Sequence, residues 1–375
     1  MNATVFDVAV IGGGLHGLSI ALNLSRAGMR VVVLERAWVG RHASGATAAG
    51  VRTLNRDLGE LDLALESMDM WHNMAAIVGD DCGFNAHGQI CVADDISNFG
   101  KLQDRVSMLR ALGYTHEEII DPRELRQLVP MMSAQCLGAS IARNNGAADP
   151  HRTIAAFRRS AQAAGAVIRE GFGVQRIERH GQDWSLETGI VGVPPVVAPI
   201  VVNAAGAWSG RIAAMVGDII PLKTRASMMM VTERLAPMLK PVVSHMGRSL
   251  SFKQSDQGTL VIGGGLQGLS NLDLETSTVR LGTLAKGARA ATDLFSCVSD
   301  IRIVRTWAGL EAQTDDKLPV IGAAINASGV FHAFGYSGHG FELVPVVGAA
   351  ITDLIVHGST RRAISNLTPG RLIVS

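Results

Sequence analysis

The sequence predicts an α/β protein in which a parallel sheet wound by helices is joined to a second, strand-rich unit. Three observations predict it. The chain opens with Asp7-Val8-Ala9-Val10-Ile11-Gly12-Gly13-Gly14-Leu15-His16-Gly17, and Val33-Leu34-Glu35-Arg36 follows, with Glu35 18 residues after Gly17. An apolar strand, a G-x-G-x-x-G turn, a small-residue helix and a second strand ending in an acid make one Rossmann-type βαβ unit. Helical and apolar stretches then alternate between residues 150 and 208, and strands dominate residues 219–263.

Each part of the βαβ unit has a physical task. Gly12 permits the tight turn out of the strand. Gly14 lacks a side chain, so backbone can approach a pyrophosphate, and Gly17 lets the helix pack close on the sheet. The N–H groups of Leu15 and His16 begin a helix whose N-terminus favours an anion. Glu35 is placed to accept hydrogen bonds from both ribose hydroxyls of an adenosine. Strand, helix, spacing and acid together predict dinucleotide binding.

The run Arg41-His42-Ala43-Ser44-Gly45-Ala46-Thr47-Ala48-Ala49-Gly50-Val51-Arg52 is too poor in large side chains to build a core, but it can lay backbone against a flat ligand. Residues 60–78 read as an amphipathic helix with Leu61, Leu65, Met68, Trp71 and Met74 on one stripe. Residues 84–93 read as a turn and strand and 95–112 as a helix. Asp121-Pro122 and Asp149-Pro150 mark helix starts, the second helix running to Gly165. Strands follow near Val167 and Gln175, the Val-Pro run 191–199 marks a hairpin or loop, and Ile200-Val201-Val202-Asn203 is a buried strand. A helix is expected over 275–296 and another over 344–356. Ile262-Gly263-Gly264-Gly265-Leu266-Gln267-Gly268 nearly repeats the first fingerprint, but Ser270-Asn271-Leu272-Asp273 is a turn, so this run reads as a strand ending in a loop.

With 375 residues, a formal net charge of +1 and 18% charged residues, the chain suggests about two domains and shows no electrostatic footprint for nucleic acid. Cys82, Cys91, Cys136 and Cys297 have no metal-ligand spacing and read as reduced thiols of a reducing compartment. Without a basic leader or an 18-residue apolar run, the expected location is the cytoplasm, with peripheral membrane contact left open.

Four segments, in this order, resemble the glycine/sarcosine/D-amino-acid oxidase superfamily of FAD-dependent enzymes over essentially the whole chain. They are the fingerprint with Leu34-Glu35-Arg36, the Ser44 to Arg52 run, Asn203-Ala204-Ala205-Gly206-Ala207-Trp208, and the C-terminal pair Trp307-Ala308-Gly309-Leu310-Glu311 with Gly335-Tyr336-Ser337-Gly338-His339-Gly340-Phe341. The resemblance implies FAD and a discontinuous FAD-binding domain over 1–80, 145–215 and 315–375. A substrate domain built on a mixed or antiparallel sheet is implied over 81–144 and 216–314. It further implies that Leu15, His16, Glu35 and Arg36 hold the adenosine and pyrophosphate end, with the backbone of Val174 at the adenine edge. Ser44, Gly45, Ala49, Gly50 and Val51 would approach the flavin, Gly206 and Gly335 would lie beside the cofactor, and the loop from Tyr336 through Phe341 to Glu342 would cover the pyrimidine side.

The implied reaction is oxidation of a C–N bond: hydride leaves the amine-bearing carbon for flavin N5, and water hydrolyses the resulting imine. Such chemistry asks mainly for positioning and for a cation to hold the substrate carboxylate. Here the chain departs from its resemblance. Arg52 matches a flavin-proximal arginine, but the usual carboxylate-binding positions carry Asn55, Glu311, Gly338 and Glu342. Arg52, Arg56, Arg225 and Arg248 are the remaining candidate cations. Glu311 and Glu342 would suit a substrate with a cationic group, such as the guanidinium of an opine like octopine or nopaline. His339 either caps its loop or acts directly.

No cysteine stands where sarcosine oxidases attach flavin, which implies non-covalent FAD. Val261 replaces an oxygen-activating lysine, which implies a dehydrogenase passing electrons to a partner subunit or carrier, like the flavin subunits of opine and hydroxyproline dehydrogenases. Four readings follow: an opine dehydrogenase, an enzyme for D-hydroxyproline, proline or glycine/sarcosine-type substrates, an NAD-dependent dehydrogenase, and a non-catalytic flavin-binding subunit.

Overall fold

Val8–Ile11 and Val31–Glu35 are short, β-branched and buried on both faces, as parallel strands between two helix or sheet layers must be. They form the centre of a six-stranded sheet in a computed structural model that describes residues 6–372. Residues 1–5 and 373–375, at the two ends of the expected nucleotide domain, lie outside the described residues. The strand order is Val320–Ala323, Val330–Phe334, Ile200–Asn203, Val8–Ile11, Val31–Glu35, Val167–Glu170, parallel except for the first.

Side chains alternate across this sheet. Val8, Val10, Val31 and Val33 enter a core shared with the helices Leu15–Arg26, Pro150–Ala163 and Val344–His357. Ala9, Ile11, Val32 and Leu34 enter a second core against the three-stranded sheet of Arg176–His180, Asp183–Glu187 and Val196–Ala198. A Cβ on Gly17 would overlap the Gly12 carbonyl oxygen, so the first helix reaches the sheet only with glycine there.

The second sheet has eight strands, in the order Ile303–Gln313, Lys223–Arg234, Thr259–Gly263, Arg248–Gln254, Val242–His245, Gln89–Ala93, Gly138–Ala142, Glu118–Ile120. All neighbours are antiparallel except Val242–His245 with Gln89–Ala93. Met228, Met230, Phe252 and Ile262 pack one face against the helix Leu281–Leu294. The residues between them, Ser227, Met229, Ser251 and Lys253 among them, face the first sheet. Trp307 Nε1 of the eight-stranded sheet donates to the Ala46 carbonyl at 2.8 Å and ties the two units, while Gly50–Val51 pairs with Gly146–Ala147 in a small separate ladder.

The structure corrects two local expectations. The helix expected over 275–296 begins only at Leu281, because Thr276–Thr278 pairs with Leu269–Asn271 as a hairpin. Leu65 is only half-buried, whereas Leu61, Met68, Trp71 and Met74 are in the core. The second glycine run ends a strand at Gly263 and turns through Gly264 and Gly265, at φ +99° and +88°, into a loop. Among the described residues no helix is long and apolar enough to cross a membrane, and no cluster of His, Cys, Asp or Glu suits a metal ion.

Candidate active site

Two connected hollows lie between the sheets, at the C-terminal ends of the parallel strands, where open α/β sheets bind ligands. The first is a cleft of about 350 Å³ running from Glu35 to Tyr336. The second is a cavity of about 820 Å³ under the eight-stranded sheet. Leu15, His16, Ser44, Glu311 and Tyr336 line both.

Backbone dominates the cleft. Gly12, at φ +106°, turns the chain under Ala204. A Cβ on Gly14 would meet only Ser44 Oγ, at 3.2 Å, so this glycine leaves space over the start of the helix. Gly14 is also the N-cap and supplies no capping side chain; the Leu15 N–H donates to Ser44 Oγ at 3.0 Å. Glu35 braces the turn: Gly13 N–H donates to Oε2 at 2.7 Å and Ala37 N–H to Oε1 at 2.8 Å, leaving further lone pairs for a ribose. Arg36 lies over the Trp208 ring and pairs with Glu275 at 3.0 Å. Val174, Gly206 and Gly335 complete the wall.

His16 and Tyr336 stack at 3.7 Å where the two hollows meet, and His16 Nε2 lies 2.9 Å from the Gly340 carbonyl oxygen. Burial pushes His16 down to about 3 and Tyr336 well above its usual value, so both are neutral. His16 Nδ1, His42 Nε2 and Tyr336 Oη are buried without hydrogen-bond partners. Glycine space over a helix N-terminus and partnerless polar atoms along the wall fit a dinucleotide such as FAD.

The cavity wall holds Gly50, Arg52, Ser337, Gly338, His339, Gly340 and Phe341 from the expected set. Ala49 and Ser337 carry left-handed backbone, at φ +55° and +53°, a strained conformation held at both candidate flavin-facing turns. Gly17, Gly45, Ala49 and Val51 do not reach the hollows with side chains. Gly45 packs on the Gly40 carbonyl, and Ala49 and Val51 are buried behind the wall. They shape the turn instead of lining it.

The four candidate cations separate. Arg52 faces the cavity and donates to the Leu54 carbonyl at 2.5 Å; burial and neighbouring Arg56 bring its guanidinium down to about 10, still charged at neutral pH. Arg225 also faces the cavity. Arg56 is 1% exposed and committed to other partners: it donates to Glu342 Oε2 at 2.9 Å and to the Arg52 carbonyl at 3.0 Å, and lies 3.4 Å from Glu60 Oε1. Arg248 lies outside the cavity, bound to Asp94 and Asp293. Lys253, which sequence reasoning passed over, joins Arg52 and Arg225 on the wall. The alternation Ser249-Leu250-Ser251-Phe252-Lys253 marks a two-faced strand, but it does not say which face meets the cofactor.

The two acids also separate. Glu311 reaches the cavity from the strand Ile303–Gln313, accepts from Ser227 Oγ, and stands within 4 Å of where a Gly338 side chain would begin. Burial raises its carboxyl, against Ser227 and Arg225. Glu342 does not line the cavity. It is 0% exposed, its carboxylate meets Arg56, and its carbonyl accepts from Ser67 Oγ at 2.6 Å and Trp71 Nε1 at 2.7 Å. The expected substrate role for Glu342 is therefore corrected: the side chain is spent inside the protein. Burial, with Glu60 nearby, pushes it up to about 8 despite Arg56. Glu60 stays low because His339, 3.1 Å away, and Arg56 outweigh its own burial. His339 borders the cavity as a neutral imidazole, brought down to about 4 by burial.

A parallel sheet with a βαβ dinucleotide cleft, opening into a charged cavity under a second sheet, defines a two-layer flavoprotein oxidoreductase. The chain belongs to the DAO family of FAD-dependent oxidoreductases, whose pattern matches residues 7–354. It is 24% identical to the beta chain of a sarcosine oxidase of Rhodobacter capsulatus, over 94% of this chain and 85% of that one. It is 25% identical to one of the subunits of an opine oxidase of Rhizobium meliloti, over 95% and 97%. The crystal structure of L-proline dehydrogenase from P. horikoshii superposes with a TM-score of 0.91 at 25% identity, covering 99% of this chain and 98% of that one. The cofactor is FAD, and the NAD reading of the fingerprint falls with that finding.

Proposed function

We propose that this enzyme oxidises the C–N bond of an N-substituted or D-configured amino acid carrying a second, cationic group, of which a guanidinium opine is the example. The observation that carries the reading is Glu311, an acid held in the cavity wall beside the Gly338 turn, with Arg52 and Arg225 on the same wall. Glu311 would meet the cationic group through charge-assisted hydrogen bonds, and Arg52 would hold the carboxylate. Bound in the cleft, FAD supplies the acceptor for the hydride of the amine-bearing carbon. His339, neutral and anchored by Glu60, offers a hydrogen bond to the amine without adding charge.

The relatives named as subunits of opine oxidase and sarcosine oxidase support an N-substituted amino acid as substrate and a partner subunit, to which we propose the electrons pass. FAD is proposed to be non-covalent: Cys91, the one cysteine on the cavity wall among the described residues, is kept protonated by burial and is a poor nucleophile. Acid precipitation should leave the flavin in the supernatant.

The likeness to L-proline dehydrogenase favours a second reading, a cyclic imino acid such as D-hydroxyproline. Glu311→Gln distinguishes the two with an artificial electron acceptor. A charge-assisted hydrogen bond is worth about 1.5–3 kcal/mol, so KM for octopine or nopaline should rise about 10- to 150-fold while KM for proline analogues changes little. Equal effects on both classes would remove the opine reading. No turnover of either class would leave a non-catalytic flavin subunit.

A further inference from the structure

Lys253 is a buried cavity cation to which the reading above gives no task. It lies on the strand Arg248–Gln254, between the core residues Phe252 and Leu250 on one face and the cavity on the other. Its Nζ lies 3.5 Å from the Ala148 carbonyl oxygen, and among the described residues it forms no ion pair. Asp149 and Asp256 act on it only through space.

The position of that ammonium is set by two backbone relations. Ala148 N–H donates to the Ala49 carbonyl at 3.0 Å, so Lys253 reaches the back of the left-handed Ala49-Gly50 turn. Gly50 faces the same cavity and, with no side chain, lets a flat ring lie against its backbone. Across the sheet, Lys253 is the direct antiparallel partner of Val261. Opposed residues in such a ladder point to the same face, with Cβ atoms about 5 Å apart. The cavity face at Val261 is thus supplied with a cation from the neighbouring strand.

We infer that the Lys253 ammonium faces the redox-active edge of the bound flavin and stabilises the negative charge that the ring takes up on reduction. A long flexible stem reaching from the adjacent strand delivers the charge that Val261 cannot. Burial holds the amine down to about 8, so the charged form still predominates at neutral pH. Reoxidation by oxygen, which also passes through negative charge beside the ring, would draw on the same cation. The ground for expecting slow reoxidation, a wall without a lysine at Val261, is thereby removed.

The inference rests on FAD in this cavity and not on the identity of the substrate, so its primary readout uses none. Sulfite, which adds to oxidised flavin and leaves an anionic adduct, is titrated into the holoenzyme while flavin absorbance is followed. An opposite charge within ~4–6 Å is worth one or more pK units. Lys253→Met should therefore weaken sulfite binding about tenfold or more. The flavin midpoint potential should fall by about 30 mV, the equivalent of tenfold for a two-electron couple. Lys253→Arg, which keeps the charge, should retain most of both. Flavin-to-protein absorbance and far-ultraviolet circular dichroism establish that each variant is folded and loaded.

In Lys253→Met, sulfite affinity within twofold of the parent, with a midpoint potential within about 10 mV of it, the twofold equivalent for a two-electron couple, would overturn the inference, whatever happens to KM. A rise in KM for carboxylate substrates without a change in potential would assign Lys253 to substrate binding instead. Equal losses in the Arg and Met variants would show that packing, not charge, is at work. Failure of the opine reading would leave the sulfite result untouched.

Discussion

The dinucleotide cleft and the reaction cavity share His16 and Tyr336, yet their walls are built on different principles. The cleft is shaped by backbone: glycines at 12, 14 and 17, the N-terminus of one helix, and an acid that braces the turn. The cavity is shaped by side chains from segments far apart in sequence: Arg225, Lys253 and Glu311 alternate on strands, and Arg52 follows the Gly50–Val51 strand. A group common to many enzymes is recognised by geometry that local sequence encodes. A substrate is recognised by a constellation that only folding assembles.

The largest effect that tests this contrast lies in the cleft. Gly17→Ala forces a Cβ into the Gly12 carbonyl oxygen, and backbone cannot yield as a side chain can. It should cost at least about 3 kcal/mol, the upper end for overpacking, and lower both Tm and soluble yield. Gly14→Val meets only Ser44 Oγ and should fold, yet purify without flavin because its branches occupy the anion's approach. Thermal melts beside flavin-to-protein ratios separate the two. If Gly14→Val melts as low as Gly17→Ala, the distinction between a packing glycine and a ligand glycine collapses.

Next in size is Arg52→Met. Losing a charge-assisted bond to a carboxylate should lower kcat/KM about 10- to 150-fold, mostly through KM, with flavin content unchanged. Steady-state kinetics that show a normal KM would return Arg52 to the role of a brace for its own turn.

Glu311 and Glu342 sharpen the comparison further, because only one of them belongs to the cavity. Glu342→Gln resembles the protonated acid already favoured at neutral pH and should cost about 1 kcal/mol. Glu342→Leu strips Arg56 of a buried partner and should cost about 3–5 kcal/mol. Neither should alter the preference between guanidinium and proline-type substrates. A preference that shifts in Glu342→Gln as it does in Glu311→Gln would put Glu342 back among the substrate contacts.

The smallest effect is the pH dependence of stability. His16 and His339 have folded values depressed to about 3 and 4, so an unfolded chain binds more protons than the folded one below about 6.5. Their contribution is fully present above the unfolded value and is lost as pH falls towards 4. Glu342 works the other way: raised to about 8, it contributes below its unfolded value near 4.5 and that contribution is lost as pH rises through 8. Tm should fall on both sides, with His339→Gln flattening the acid limb and Glu342→Gln the alkaline one. Limbs unchanged in the variants would remove these groups from the balance.

Much of the nucleotide half was legible because its signals are local. The spacing of Gly12, Gly14 and Gly17, the acid at 35, and the Asp-Pro start at 149 each describe a few neighbouring residues, and Asp149 caps its helix through its own carboxylate; the same local signal at Asp121 marks a helix of the other half. The hairpin at 269–278 was not legible, since its strands are exposed and carry little apolar pattern.

By itself, the sequence determined the βαβ cleft, because turns, caps and strand alternation are written in contiguous residues, and its resemblance to the oxidase superfamily implied the family and the cofactor. Tertiary structure alone decided that Arg56 and Glu342 pair in the interior, that Glu311 reaches the cavity, and that Lys253 stands opposite Val261. The physical reason is that burial and partnership, which decide whether a charge is structural or available, are properties of strands and loops brought together from distant parts of the chain.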